Sequence, residues 1–245
     1  MPWSRHSYWR ADQDRVEASV AQFARAGRAS NVLVVFSSFY SHGEREILRS
    51  WEPEALCAKI DILKSASLRN ADELGTSPYR ASWLAGSVAL RVGPQGVEEL
   101  ARHPGVARVL PNLLEGPPTP PRRHVSRAPA SSWGVERIGA PKLWELGLRG
   151  EGVLIGHIDT GVDAEHPDLM GKVAAFEAFD PWGMPLTGTP VHDSASHGTQ
   201  TAGVLVGGSS LGRAIGVSPA ARLLSAAALP QGAGSTRQVL AGLES

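Results

Sequence analysis

Apolar positions recur along this chain in two rhythms, one before residue 115 and one after residue 132. In the first part, Val16, Val20, Phe23 and Ala24 fall at helical spacing, and Gly27 ends the run. NVLVVF, residues 31–36, reads as a strand. Leu56, Ile60 and Leu63 share one helix face within PEALCAKIDILKSASL. Val88, Leu90 and Val92 alternate, as a half-buried strand does. Val97, Leu100 and Ala101 mark a short helix that Pro104 stops, and VARVL, residues 106–110, is a last strand.

After residue 132 the strands become more continuously apolar. Pro141 sits where a first helical residue would, and Gly147 closes that short helix. GVLIGHID, residues 152–159, is nearly all apolar apart from His157, which predicts a strand covered on both faces. KVAAFEAF reads as another strand, and HGTQTAGVLVG, residues 197–207, as a buried helix of small residues. RLLSAAA, residues 222–228, is a further strand. Ser235 and Gln238 form an S-x-x-Q capping box ahead of Val239, Leu240 and Leu243.

These rhythms predict two units of different class. The β-α-β-α-β order of the first, with room for one unseen strand, suits a small α+β unit of the ferredoxin-like kind. The alternating strands and helices of the second imply an α/β unit with a parallel sheet and helices on both faces. EGPPTPPRRHVSRAPASS, residues 115–132, is dense in proline, serine and arginine and reads as a linker. The predicted divisions are a helical extension over 1–30, an α+β domain over 31–114, the linker, and an α/β segment over 133–245.

Composition narrows the partners. The 245 residues are 42% hydrophobic and 20% charged, an ordinary globular balance. Twenty-four basic residues offset 24 acidic ones, which gives no electrostatic case for nucleic acid or an anionic membrane as partner. No apolar run approaches the roughly 18 residues of a membrane span. Cys57 is the only cysteine, so no internal disulfide forms. The opening MPWSRHSYWRADQD is polar and lacks the apolar core of a signal peptide, which leaves localisation undetermined.

Candidate chemistry gathers in the second part. Asp159 ends an apolar strand, and a buried carboxylate is costly unless paired or hydrogen-bonded. Sites in parallel sheets form at the carboxyl ends of strands. His197 opens the small-residue helix, and Gly198 beside it allows another group to approach closely. An imidazole can take and return a hydroxyl proton near neutrality, and a carboxylate fixes its tautomer. Spacing alone equally allows Asp159 to cap a turn and His197 to cap a helix. A metal centre drawn from His157, Asp159, His166, Asp168, His192, Asp193 and His197 lacks both an H-E-x-x-H sequence and a cysteine pair. The bland reading of His157 is a core strand residue.

Three ordered stretches carry a resemblance: GVLIGHIDTGVDAEHPDL, SHGTQTAGVLVG and AIGVSPAARLLSAAALPQGAGSTRQVLAGLE. They resemble the Asp motif, the His-Gly-Thr motif and the following strand and helix of the subtilisin-like serine proteases. WGVERIGAPKLWELGLRGEG is similar to the usual mature N-terminus of that family. WLAGSVALRVGPQGVEELARHPGVARVLPN resembles the second half of its inhibitory propeptide, which is ferredoxin-like and lays its tail in the cleft. The resemblance implies a serine endopeptidase precursor acting on polypeptides without a catalytic cofactor, with the propeptide as partner in cis. It implies that Asp159 orients the base and His197 is the general base. It implies that Gly232, Ala233 and Gly234 pair with extended substrate backbone. It makes Asp168 a calcium ligand, although Ser210 stands where an Asn ligand is common. Gln200 and Thr201 replace the frequent His-Val pair, and Thr201 keeps the shape of valine.

The resemblance stops before the nucleophile. The family serine follows its histidine by roughly 160 residues, whereas 48 residues follow His197 here. The oxyanion Asn lies beyond that point as well, and no Gly-Thr-Ser-x-Ala stretch occurs. Gly208-Ser209-Ser210-Leu211-Gly212 fits G-x-S-x-G, but that elbow needs a later histidine, and none follows His197. The last helical pattern has no stop signal after it, so a truncated protease, inactive as written, is the expectation. The alternative is a non-catalytic inhibitor or folding chaperone joined to an inert half-domain.

Overall fold

The structure is a computed structural model that describes residues 15–36, 56–74, 76, 80–112 and 131–245. The chain forms two compact units that divide between Leu113 and Leu114. The expectations for the N-terminal stretch and for most of the 115–132 linker lie outside the described residues, as do the side chains of Leu56, Cys57 and Ile60.

The first unit runs α1 (Ala18–Arg25), β1 (Ser30–Phe36), α2 (Leu56–Glu73), β2 (Ala81–Ser82), β3 (Ser87–Val92), α3 (Pro94–Arg102) and β4 (Val106–Pro111). Its sheet has the order β2-β3-β1-β4 and is antiparallel throughout. The unseen strand is β2, a two-residue element too short to show any alternation. Val20, Val32, Val34, Val88, Val97, Leu100 and Val109 share one core. Val20 on α1 belongs to that core, so the opening helix is built into this unit and is not a separate extension. Pro94 starts α3 at its first turn, where a missing N–H costs nothing.

The second unit runs α4 (Trp133–Arg137), α5 (Ala140–Glu145), β5 (Leu154–Asp159), β6 (Val173–Ala178), α6 (His197–Val206), β7 (Arg222–Ala227), a 3-10 turn (Pro230–Gly232) and α7 (Thr236–Glu244). Its three described strands are parallel in the order β5-β7-β6, with β7 central. The α6 face buries Val162, Leu169, Ala202, Val206, Ala221 and Leu223. On the opposite face α7 packs through Ala241 against Ala226 and Phe179. The capping box holds the start of α7, with Gln238 N–H donating to Ser235 Oγ at 3.0 Å and Ser235 N–H to Gln238 Oε1 at 2.9 Å.

One expectation about β5 changes. The strand was expected to be covered on both faces, but Leu154 is 54% exposed, and Gly156 is exposed too. Within the described residues β5 is an edge strand. Only its Ile155, His157 and Asp159 side faces α6, and α7 covers the other side only near Ile158. Its continuous apolar sequence hides this asymmetry because Leu154 and Ile158 are apolar whether or not they are covered.

Candidate active site

Asp159 is the last residue of β5, aligned with Ala227 at the end of β7. Its main-chain oxygen accepts the N–H groups of Ala228 and Leu229, each at 3.0 Å. The strand end is therefore anchored, and the carboxylate projects at the carboxyl edge of the sheet. Asp159 is 7% exposed. Its charge is compensated by donors on several sides: Oδ1 accepts Thr160 N–H at 2.7 Å, and His197 Nδ1 lies 2.7 Å from Oδ1 and 2.9 Å from Oδ2.

His197 is the first residue of α6, and the residue before it, Ser196, adopts φ 71°. This left-handed turn swings the chain into the helix so that the imidazole faces the strand end. Because an ionised carboxylate can only accept, the proton shared with it sits on His197 Nδ1. That leaves Nε2 as the acceptor. The His197 side chain is 31% exposed and that of Asp159 10%. One partner is thus accessible to a substrate group, and the other is shielded. The gathered geometry is that of a general base and its orienting acid.

The approach of helix to strand end depends on two glycines. A Cβ on Gly198 would lie 2.0 Å from the carbonyl oxygen of Gly161, and one on Gly161 would lie 2.1 Å from that of His192. Gly161 also has φ +115°. The backbone of the 159–161 turn and the first turn of α6 touch directly, and no other residue fits at either position without displacing main chain.

Asp193, weighed from sequence only as a metal ligand, locks this junction. Its Oδ1 accepts Thr160 Oγ1–H at 2.6 Å and Ala195 N–H at 3.0 Å, and its Oδ2 accepts Thr199 N–H at 2.8 Å and Thr199 Oγ1–H at 2.5 Å. Thr160 Oγ1 in turn accepts Gly198 N–H at 2.9 Å. Burial pushes the Asp193 carboxyl up, but hydrogen bonds from Thr160, Thr199 and Ala195 outweigh it and hold the pKa below 3.8. The signal in sequence was an acid six residues before Thr199, just outside the helix it caps.

The other predicted residues lie elsewhere. Asp168 is 3% exposed; its Oδ1 accepts Ser210 N–H at 2.6 Å, and its main-chain oxygen accepts Gly208 N–H at 2.9 Å. Ser210 Oγ donates to the carbonyl of Pro167. Asp168 clamps the 208–210 loop in this way, the Ser210 hydroxyl is turned to Pro167, and no group of three or more His, Cys, Asp or Glu side chains that could hold a metal forms among the described residues. His166 accepts Asp168 N–H at Nδ1, and His192 Nδ1 lies 3.0 Å from the Pro190 carbonyl, so neither joins Asp159. Gly232 and Ala233 spend their N–H groups on the carbonyls of Leu229 and Pro230, and Gly234 lies tight against Ala228. A cleft of about 990 Å³, lined by Asp163, His192, Thr199, Gln200 and Arg213 among others, excludes both Asp159 and His197. The Asp159–His197 pair sits at the carboxyl end of the sheet, outside that cleft.

Residues 150–245 match the subtilase family, Peptidase S8. This part of the chain is similar to the subtilisin-like serine proteases. It is 27% identical to bacillopeptidase F of Bacillus subtilis over 198 residues, which is 74% of this chain and 14% of that protein. It is 38% identical to the minor extracellular protease Vpr of the same organism over 115 residues, 44% of this chain and 14% of Vpr. With subtilisin E of Bacillus subtilis it shares 30% identity over 161 residues, 64% of this chain and 38% of that protein. The chain thus spans well under half the length of each of these relatives.

Proposed function

We propose that the chain carries two of the three side chains of a serine endopeptidase, with Asp159 as orienting acid and His197 as general base. The 2.7 Å contact between His197 Nδ1 and Asp159 at the carboxyl end of β5 carries the reading. In the proposed reaction on a polypeptide, His197 Nε2 takes the proton of a serine hydroxyl as its oxygen attacks the scissile carbonyl. It then returns that proton to the leaving amine, while Asp159 stabilises the imidazolium formed in between. No cofactor takes part in this chemistry. The 245 residues hold no Gly-Thr-Ser-x-Ala stretch, so by themselves they do not hydrolyse peptides by this route. Gly232 to Gly234 supply the edge that pairs with substrate main chain, through groups other than the Gly232 and Ala233 N–H, which are bonded within the chain; Ala233 is extended at φ −140° and ψ 144°.

The first unit acts in this reading as a ferredoxin-like inhibitory propeptide in cis, released by cleavage within residues 115–132. Its β-α-β-β-α-β order supports this. So do relatives that align with 74% and 64% of the chain, more than residues 131–245 can supply.

The test uses antibody against residues 131–245 to recover the natural protein, which is then treated with a fluorophosphonate that labels activated serines. Label on a serine peptide, lost in His197→Ala, supports the proposal. Absence of label from folded protein refutes it. Adding the purified 245-residue chain to active subtilisin tests the propeptide role: tight inhibition is expected, and unchanged peptide hydrolysis excludes it.

A further inference from the structure

Behind the acid lies a second polar group that the proposed reaction does not use. His157 is 5% exposed on β5, two residues before Asp159 and on the same face. Its Nδ1 lies 3.0 Å from Ser225 Oγ on β7, and its Nε2 lies 3.0 Å from Thr201 Oγ1 on α6. Thr201 Oγ1 is also 3.1 Å from Asp159 Oδ2. The four side chains make a continuous line that ends on the carboxylate holding His197. The charged or titratable groups that His157 faces are Asp159, Asp193 and His197.

Counting protons fixes the direction of the line. Burial lowers the His157 pKa below 6.5, with opposing pulls from Asp159 and Asp193, so the ring is neutral and carries one N–H. The Thr201 hydroxyl has a single proton and several acceptors around it: Asp159 Oδ2, the His197 carbonyl at 3.2 Å and the Gly198 carbonyl at 3.0 Å. Donation to a main-chain carbonyl would set its lone pairs against an ionised oxygen 3.1 Å away. Donation to His157 would do the same. Donation to Asp159 makes the stronger, charge-assisted bond. Thr201 then accepts from His157 Nε2–H, and His157 Nδ1 accepts from Ser225.

We propose that Ser225, His157 and Thr201 form a buried relay that delivers one hydrogen bond to Asp159 Oδ2 and so positions the acid–base pair. These are positioning residues; none touches substrate. The relay makes use of polarisation along a hydrogen-bonded chain inside a poorly solvated interior. It explains why a histidine occupies the middle of an apolar strand and why a threonine faces it across the helix. The inference rests on the proposed function for its catalytic meaning, but its geometry is testable without activity.

The experiment is nitrogen-15 NMR of the imidazoles in the 245-residue chain. The expected wild-type result is a single neutral His157 tautomer with the proton on Nε2, held from pH 7 to pH 9. Thr201→Ser keeps that signature. Thr201→Val releases it and speeds exchange of the His197 Nδ1 proton with water by about ten- to a hundredfold, the scale of one hydrogen bond to a charged group. A wild-type His157 carrying its proton on Nδ1 overturns the relay, as does Thr201→Val with both signals unchanged. If Thr201→Val does not fold, Ser225→Ala decides: the Nδ1 resonance must move as its donor is lost, and an unmoved resonance overturns the proposal. Failed fluorophosphonate labelling with an intact relay would sink the protease reading alone. Labelling with the wrong tautomer would sink the relay alone.

Discussion

Gly198→Ala is the sharpest perturbation of the acid–base geometry, because it changes neither charge nor any hydrogen-bonding side chain. The added Cβ would stand 2.0 Å from the carbonyl oxygen of Gly161. Ordinary carbon–oxygen contact needs roughly 3.2 Å, so something must move by about 1.2 Å, a displacement a close-packed interior resists. The obstacle is main chain on both sides, so no rotamer change relieves it. Overpacking of this kind costs about 1–3 kcal/mol. Moving the first turn of α6 away also strains the 2.9 Å bond from Gly198 N–H to Thr160 Oγ1 and the 2.7 Å His197–Asp159 contact. Each is worth about 1 kcal/mol, more for the charged partner. The total is about 3–5 kcal/mol of local stability. Urea unfolding, followed through amide signals of residues 131–245, reads this as a drop in midpoint of about 1 M or more. Nitrogen-15 spectra of His197 report the lost contact directly. A variant with an unshifted midpoint and an intact His197 Nδ1–H bond would refute the argument that glycine is required for this approach.

Other outcomes follow from the same geometry. Asp193→Ala removes the acceptor of four hydrogen bonds and should cost about 1–3 kcal/mol, seen as faster hydrogen exchange in the first turn of α6. Because the folded Asp193 carboxyl is held below 3.8, its contribution is present above the unfolded value and lost as pH falls through the lower folded one; acid titration of wild type against Asp193→Ala should show that difference. For His157 the folded pKa is lowered below 6.5, so the unfolded chain binds its proton first, and stability falls as pH drops below about 6.5. The slope is at most about 1.4 kcal/mol per pH unit, and His157→Phe should remove it from denaturation curves taken between pH 7 and pH 5. Leu223→Ala empties a fully buried position on β7 and should cost about 2–5 kcal/mol in the same unfolding assay.

The first unit shows how far local pattern reaches. Strands β1 and β4 and helix α3 were legible because hydrophobic period and Gly or Pro punctuation agree over six or more residues. β2 was not, since two residues cannot display a period. In the second unit the strand ending at Asp159, the helix opening at His197 and the Ser235–Gln238 box were all visible, because each is set by residues next to one another in sequence.

What the sequence determined by itself was the set of local elements and the chemical types at their ends: an acid closing a strand, an imidazole opening a helix, a glycine beside it. Tertiary structure decided how the seven candidate acids and histidines meet, and it brings together the Asp159–His197 pair that the family resemblance implied. Asp159 joins His197 across 38 residues of sequence, His157 is tied to Ser225 across 68, and Asp168 turns away to hold a loop. It also made Asp193 a clamp where residue type alone offered a ligand. The reason is physical: propensity and capping act over a few residues, whereas a buried carboxylate takes its role from whichever donors the packed sheet and helix bring within 3 Å of it.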